Sequence, residues 1–319
     1  IITLFDPRKT YIDHISEIVD LDSLKHSGFH ISIDAMHGAG AEYLPSILTS
    51  SHGSITELRG DPNPAFPGMH QPEPIAQNLS ILSNHVIASN SDIGIAYDGD
   101  ADRLGIIDEH GRYLSTLQVF AILALYMLEV RGERGPIVKS LTSSSMISKL
   151  GKLFEVPIFE TGVGFKFASP LMIKENAMMA GEESGGYAFR KHIPERDGIL
   201  SSLLFLEFMA RTGQKPSELL HHLFDLVGEH HFDRRDIAFD AQNRRQIEEC
   251  LNKHLSTKQI SGIGVSAVDS LEGIRFHCDE SWVAIRFSGT EPLVRIYAES
   301  EDPDRVSALL DGAQELLGI

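Results

Sequence analysis

Short apolar runs of strand length alternate with longer amphipathic ones along most of this chain. Residues 29–34 read as a strand, followed by a glycine turn at 37–40 and a helix at 41–49. A proline-rich loop, 61–74, leads to a helix near 75–83 and to a continuous apolar run, 93–97, with the character of a buried strand. A helix at 117–130, a strand at 136–139, a helix at 145–154 and a strand at 156–159 come next. A helix beginning at 167, a strand at 177–180 and helices at 199–211 and 217–227 complete this portion. Strands that alternate with helices predict parallel sheets built from βαβ crossovers. Beyond 228 the pattern changes to strands at 232–238, 263–268, 273–277, 282–287 and 293–299, with helices at 241–255 and 303–317.

The predicted fold class is therefore α/β: two consecutive α/β/α domains with mixed, mainly parallel sheets, then an α+β domain with a mainly antiparallel sheet. The expected boundaries are 1–115, 116–228 and 229–319. No internal repeat stands out. The composition, 42% hydrophobic and 23% charged, is that of a soluble globular protein. A formal net charge of −17 argues against nucleic acid and anionic membranes as partners, and a phosphate site here must concentrate cations locally. Cys250 and Cys278 give neither a disulfide framework nor a metal spacing, so the expected compartment is a reducing cytoplasm. The apolar helix at 117–130 is too short to span a bilayer. The opening Ile1-Ile2-Thr3 has no initiator Met, basic region or cleavage site, and reads as the middle of a longer polypeptide.

The strongest chemical signal is Asp98-Gly99-Asp100-Ala101-Asp102-Arg103, directly after the buried run. An extended backbone would turn the three carboxylates, two residues apart, to one side. Their mutual repulsion calls for a cation, and an all-oxygen set suits Mg²⁺ or Ca²⁺ rather than zinc. A solvated acidic turn competes with this reading. An EF-hand loop does not, because Arg103 stands where that loop needs glycine and a strand leads in.

Three further loops carry polar chemistry. Gly181-Glu182-Glu183-Ser184-Gly185-Gly186 clusters carboxylates and a hydroxyl between glycines, suited to a polyhydroxylated ligand or to a plain acidic loop. Arg286-Phe287-Ser288-Gly289-Thr290-Glu291-Pro292, with Arg295 beyond it, has the parts of a phosphate cradle, though a simple β-turn also fits. Thr161-Gly162-Val163-Gly164-Phe165-Lys166 ends in a lysine that can reach a phosphate. The cations of the stretch 190–197 either meet a phosphate or form a solvated face. The pairs His221-His222 and His230-His231 read as surface histidines, and Met178-Met179 as core.

DGDADR (98–103), GEESGG (181–186) and RFSGTEP (286–292), in this order and supported by TGVGFK (161–166) and PERDGI (194–199), resemble the α-D-phosphohexomutase superfamily of phosphoglucomutase and phosphomannomutase. The resemblance covers essentially the whole chain as the second, third and fourth of the family's four domains. It implies that Asp98, Asp100 and Asp102 hold one Mg²⁺, that Arg103 and Lys166 are catalytic, and that Glu182 and Ser184 bind sugar hydroxyls. It further implies that Arg286, Ser288, Gly289, Thr290 and Arg295 hold the phosphate that is not reacting. Glucose 1,6-bisphosphate would be intermediate and activator.

The resemblance implies interconversion of glucose 1-phosphate and glucose 6-phosphate, or of mannose phosphates, through a phosphoserine. That serine belongs to a first domain, expected in cis and missing from this sequence. Ser51-His52 imitates its loop but lacks the Asn-Pro, and Gly53 reads as a helix stop. Many relatives have His where Gly186 stands, which puts acid–base chemistry there in doubt; His192 is a weak substitute. This chain alone is expected to bind without turnover. A truncated sugar-phosphate-binding protein and, less well supported, a Mg²⁺-dependent phosphatase are the alternatives.

Overall fold

The computed structural model describes residues 3, 5–48, 52–289 and 291–318. The first sheet contains β1 (His30–Asp34), β2 (Ser54–Leu58), β3 (Ile93–Tyr97), β4 (Leu104–Ile107) and β5 (Tyr113–Leu114), in the order β2-β1-β3-β4-β5. Strand β1 pairs in parallel with β2 and β3, whereas β3, β4 and β5 run antiparallel. The second sheet, of β6 (Ile137–Ser140), β7 (Ile158–Thr161), β8 (Met179–Gly181) and β9 (Tyr187–Phe189), has the order β7-β6-β8-β9 and is parallel except for the β8–β9 hairpin.

The third sheet is antiparallel throughout. Its strands are β10 (His231–Ala238), β11 (Gln259–Ile260), β12 (Ile263–Asp269), β13 (Ile274–Cys278), β14 (Ser281–Phe287) and β15 (Leu293–Ser300), ordered β10-β15-β14-β13-β12-β11. The predicted fold class thus holds.

Two helices link the first two sheets. The helix Thr116–Leu125 starts at a capping box between Ser115 and Gln118 and is buried at every position except Gln118, as the apolar run from Val119 to Leu125 demands. The helix Gly198–Thr212 is capped by Asp197 and buried over most of its length, and Ser202 bonds the Tyr97 hydroxyl at 2.7 Å. One apolar core consequently runs from Ile33 and Ile95 through Phe120 and Leu203 to Ile137 and Tyr187. The third sheet has its own core, with Phe276, Val283, Ile296 and Leu309 at its centre.

Buried ionic groups join the last sheet to the second. Glu299, on β15, accepts bonds from the Ser144 hydroxyl, the Ser145 amide (2.8 Å) and the Trp282 indole (2.7 Å), so it caps the helix Ser145–Leu153 from outside. Glu160 pairs with Lys139 at 2.8 Å and with Arg275 at 2.6 Å, and Arg275 also reaches Asp269 at 2.9 Å.

Several expectations are corrected. The helix predicted near 75–83 is a single 3-10 turn at Ala76–Asn78 followed by an α-helix at Ser80–Ser89, for which Asn90, at φ 51°, supplies the left-handed stop. Gly53 is no helix stop: the helix Tyr43–Ile47 has already ended, and Gly53 leads into β2 so close to Phe29 that a side chain would strike its backbone. Ser51 lies outside the described residues. His230 is buried beside Glu299 rather than on the surface. Met178 and Met179 are fully buried, as expected.

Candidate functional site

The three aspartates converge, but not through an extended strand. Residues 98–103 form the turn of the β3–β4 hairpin, where the Ala101 amide bonds the Asp98 carbonyl and Ala101 takes the left-handed conformation at φ 62°. Such a backbone state costs a non-glycine residue about 1 kcal/mol or more and is held by its surroundings. It brings one oxygen each of Asp98, Asp100 and Asp102 to within 4.8 Å of one another. Burial, with the Asp102 carboxylate beside it, pushes Asp98 up to about 8. Burial also raises Asp102, against the pull of Arg196, and its Oδ1 is buried without a hydrogen-bond partner. An all-oxygen cluster that resists ionisation and leaves an oxygen unsatisfied fits a hard divalent cation.

Arg103, which closes the turn, ion-pairs with Glu73 at 2.9 Å and lies 3.3 Å from Asp98. Its backbone bridges to Gly186, and the Leu104 amide bonds the Gly185 carbonyl at 2.9 Å, so the aspartate loop and the loop 181–186 are fastened together. Glu182 accepts the Gly164 amide at 2.7 Å, while burial and the Glu183 charge raise its pKa. Ser184 carries a buried hydroxyl without a partner.

A cleft of about 740 Å³ opens over these loops. Arg103, Glu182, Ser184 and Arg295 all line it, together with Arg196, Arg234, Glu183 and Tyr297. The remaining sequence-derived candidates are placed differently. Arg286 lies beside Tyr297, its Nε bonded to Glu272 at 2.6 Å. Ser288 is buried, with its hydroxyl accepting the Glu291 amide and its carbonyl accepting from Arg244. Gly289 is exposed, and Thr290 lies outside the described residues. Lys166 is exposed, with its ammonium 4.9 Å from the Phe167 ring centre.

Comparison with known proteins decides the family. The models of phosphoglucomutase/phosphomannomutase alpha/beta/alpha domain II, alpha/beta/alpha domain III and C-terminal domain match residues 9–111, 117–227 and 241–315. A structure from Thermus thermophilus, assigned to the phosphomannomutases, superposes with a TM-score of 0.85 at 32% identity, over 99% of this chain and 67% of that one. The chain belongs to the phosphoglucomutase/phosphomannomutase family.

A phosphoglucomutase/phosphomannomutase of Thermococcus kodakarensis is 29% identical over 97% of this chain and 65% of its own length. A phosphoglucosamine/phosphogalactosamine mutase of Sulfurisphaera tokodaii is 28% identical over 97% of this chain and 66% of its own. The chain thus spans about two thirds of the length of these family members.

Within this family frame, the structure accounts for the glycine at 186. A Cβ there would lie 2.8 Å from Arg196 Cγ and closer still to Cδ. The Arg196 stem fills that space and carries its guanidinium to Asp102, with which it ion-pairs at 2.6 Å, with Glu182 3.8 Å away. His192 does not substitute for a cleft histidine: its ring bonds Asp197 on one side and His14 on the other, both at 3.0 Å. The cationic stretch accordingly splits, Arg190 pairing with Glu133 and Arg196 turning inward. Sequence reasoning passed over Arg234, Tyr297 and Glu272, which sit in strands or a short turn without any motif of their own.

Proposed function

We propose that this chain forms the metal, sugar and phosphate sites of a Mg²⁺-dependent hexose-phosphate mutase. The reaction is the interconversion of glucose 1-phosphate and glucose 6-phosphate through a phosphoserine and a bisphosphorylated intermediate, the phosphoserine being supplied in cis by a domain beyond these residues. The observation that carries this reading is the convergence of Arg103, Glu182, Ser184 and Arg295 on one cleft whose wall backs onto the aspartate turn.

Asp98, Asp100 and Asp102 would hold Mg²⁺, which neutralises charge on the phosphoryl group in transit. Arg103, at the junction of cluster and cleft, adds positive charge for the same group. Ser184 and the Glu182 carboxylate offer a donor and acceptors to sugar hydroxyls. Arg286 and Arg295 hold the distant phosphate as charge, whichever end of the bisphosphate faces the metal. Lys166 would add positive charge for a phosphate from the 161–166 turn; in the conformation described its ammonium lies over the Phe167 ring.

A second reading, a hexosamine-phosphate substrate, is favoured by the relative named as a phosphoglucosamine/phosphogalactosamine mutase and by Glu73, Glu182 and Glu183 in the lining, which suit an ammonium.

Calorimetric titration of glucose 1,6-bisphosphate into the chain, with Arg286→Ala beside it, tests the proposal. Binding that the variant loses supports it; binding unchanged in the variant removes Arg286 from the site. Competition by glucosamine 6-phosphate against glucose 6-phosphate then ranks the two substrate readings.

A further inference from the structure

Glu272 stands in the short turn between β12 and β13, outside every motif, yet it touches two of them. One carboxylate oxygen accepts from Arg286 Nε at 2.6 Å, and the other accepts from the Val163 amide of the 161–166 turn at 2.5 Å. Gly162 leaves the room, since a Cβ there would lie 2.5 Å from Glu272 Oε2. The neighbouring amide, Gly164, is already bonded to Glu182 at 2.7 Å. Two adjacent amides of one turn thus receive carboxylates from the sugar loop and from the C-terminal sheet.

The use of Nε is the informative detail. A guanidinium offers donors on several edges, so a carboxylate on Nε leaves the terminal nitrogens unspent on it. The guanidinium also lies within hydrogen-bonding reach of the Tyr297 hydroxyl, a neutral neighbour that lines the cleft and that a phosphate can displace. A carboxylate that merely competed with phosphate would take two donors of one edge, as Asp34 does with Nε and Nη2 of Arg59; Glu272 takes Nε alone and gives its other oxygen to the Val163 amide.

We propose that Glu272 is a positioning residue: it holds the Arg286 guanidinium by its Nε edge and ties it to the 161–166 turn, so that the terminal nitrogens are presented to a substrate phosphate. This rests on the reading of Arg286 as a phosphate clamp. Lysine makes the idea testable, because its single ammonium cannot serve Glu272 and a phosphate from separate edges.

The experiment is calorimetric titration of glucose 1,6-bisphosphate into the full chain and four variants: Arg286→Ala, Glu272→Ala, Arg286→Lys and the double variant Glu272→Ala/Arg286→Lys. Glu272→Ala is expected to weaken binding about tenfold, the scale of one charge-assisted hydrogen bond. In the Lys background the same change is expected to strengthen binding, since it frees the captured ammonium. A merely structural role for Glu272 would weaken both backgrounds alike, and that result overturns the proposal. So does Glu272→Ala binding as tightly as the parent, or more tightly, while Arg286→Ala does not bind. Binding retained in Arg286→Ala, or absent from the parent, removes the clamp and the positioning role together. Independently of ligand, the Arg286 Nε–H is expected to be protected from exchange in the parent and unprotected in Glu272→Ala; equal exchange in both overturns the proposal.

Discussion

Arg196 reaches the Asp102 carboxylate at 2.6 Å through the space a side chain at position 186 would need. A residue in the 181–186 loop is therefore small so that a residue ten positions later can pair with the aspartate turn. Gly186→Ala is expected to destabilise the fold by about 1–3 kcal/mol through overpacking. The same substitution in an Arg196→Ala background is expected to cost little, because the clashing stem is gone. Urea unfolding of the double-mutant cycle measures the difference, and additive costs would show that the clash lies elsewhere.

Cation binding should release protons. Burial and the Asp102 charge push Asp98 up to about 8, so at pH 7 a divalent ion is expected to displace a proton from the cluster. Mg²⁺ titrated at pH 7 in two buffers of different ionisation enthalpy should release close to one proton, and the release should fall as the pH rises past 8. Asp98→Asn is expected to abolish both binding and release.

The junction of the second and third sheets should weaken in acid. Burial opposes ionisation of Glu160, but the Arg275 hydrogen bonds and Lys139 override it and hold the carboxyl at about 2, against an ordinary 4.5. A depressed pKa contributes stability that is fully present above 4.5 and is lost as pH falls from there toward 2. The contribution at neutral pH is about 2 kcal/mol after allowance for partial exposure. Glu160→Gln should lower the melting temperature at pH 7 and flatten its decline below pH 4.5, as read by calorimetry.

Long elements and glycine-rich loops were legible in the sequence because periodicity and turn chemistry are local. The run 93–97 is buried at every position, and the α/β-to-antiparallel change beyond 228 is real. Short strands were not legible. Residues 104–107 and 187–189 are strands because β3 and β8 fold back to pair with them, a tertiary cause that three or four residues cannot announce. The helices Arg8–Ile15 and Leu21–His26 are short and mostly polar, and they escape a search for apolar stripes. The aspartate cluster shows the limit from the other side: convergence was expected from strand alternation, whereas a left-handed alanine in a tight turn produces it. Glu272 and Arg234 carry no local signature, since their places depend on what the fold sets opposite them.

The shared interior of the first two sheets has a consequence for how this chain can be divided. Each sheet looks like a module with its own strand order, and residue 115 lies neatly between them. Yet the helices Thr116–Leu125 and Gly198–Thr212 contribute to the same apolar interior as β1 and β3. Cutting at 115 would leave Ile95 and Leu104 without the cover of Leu203 and strand two wet halves of a single folding unit. The last sheet beyond 228 keeps a core of its own, yet Leu141 packs with Trp282, Ala284 and Tyr297 across that line. A gene fusion, truncation or chimera cut there uncovers less apolar surface than one at 115 but still bares this contact and the buried Glu299.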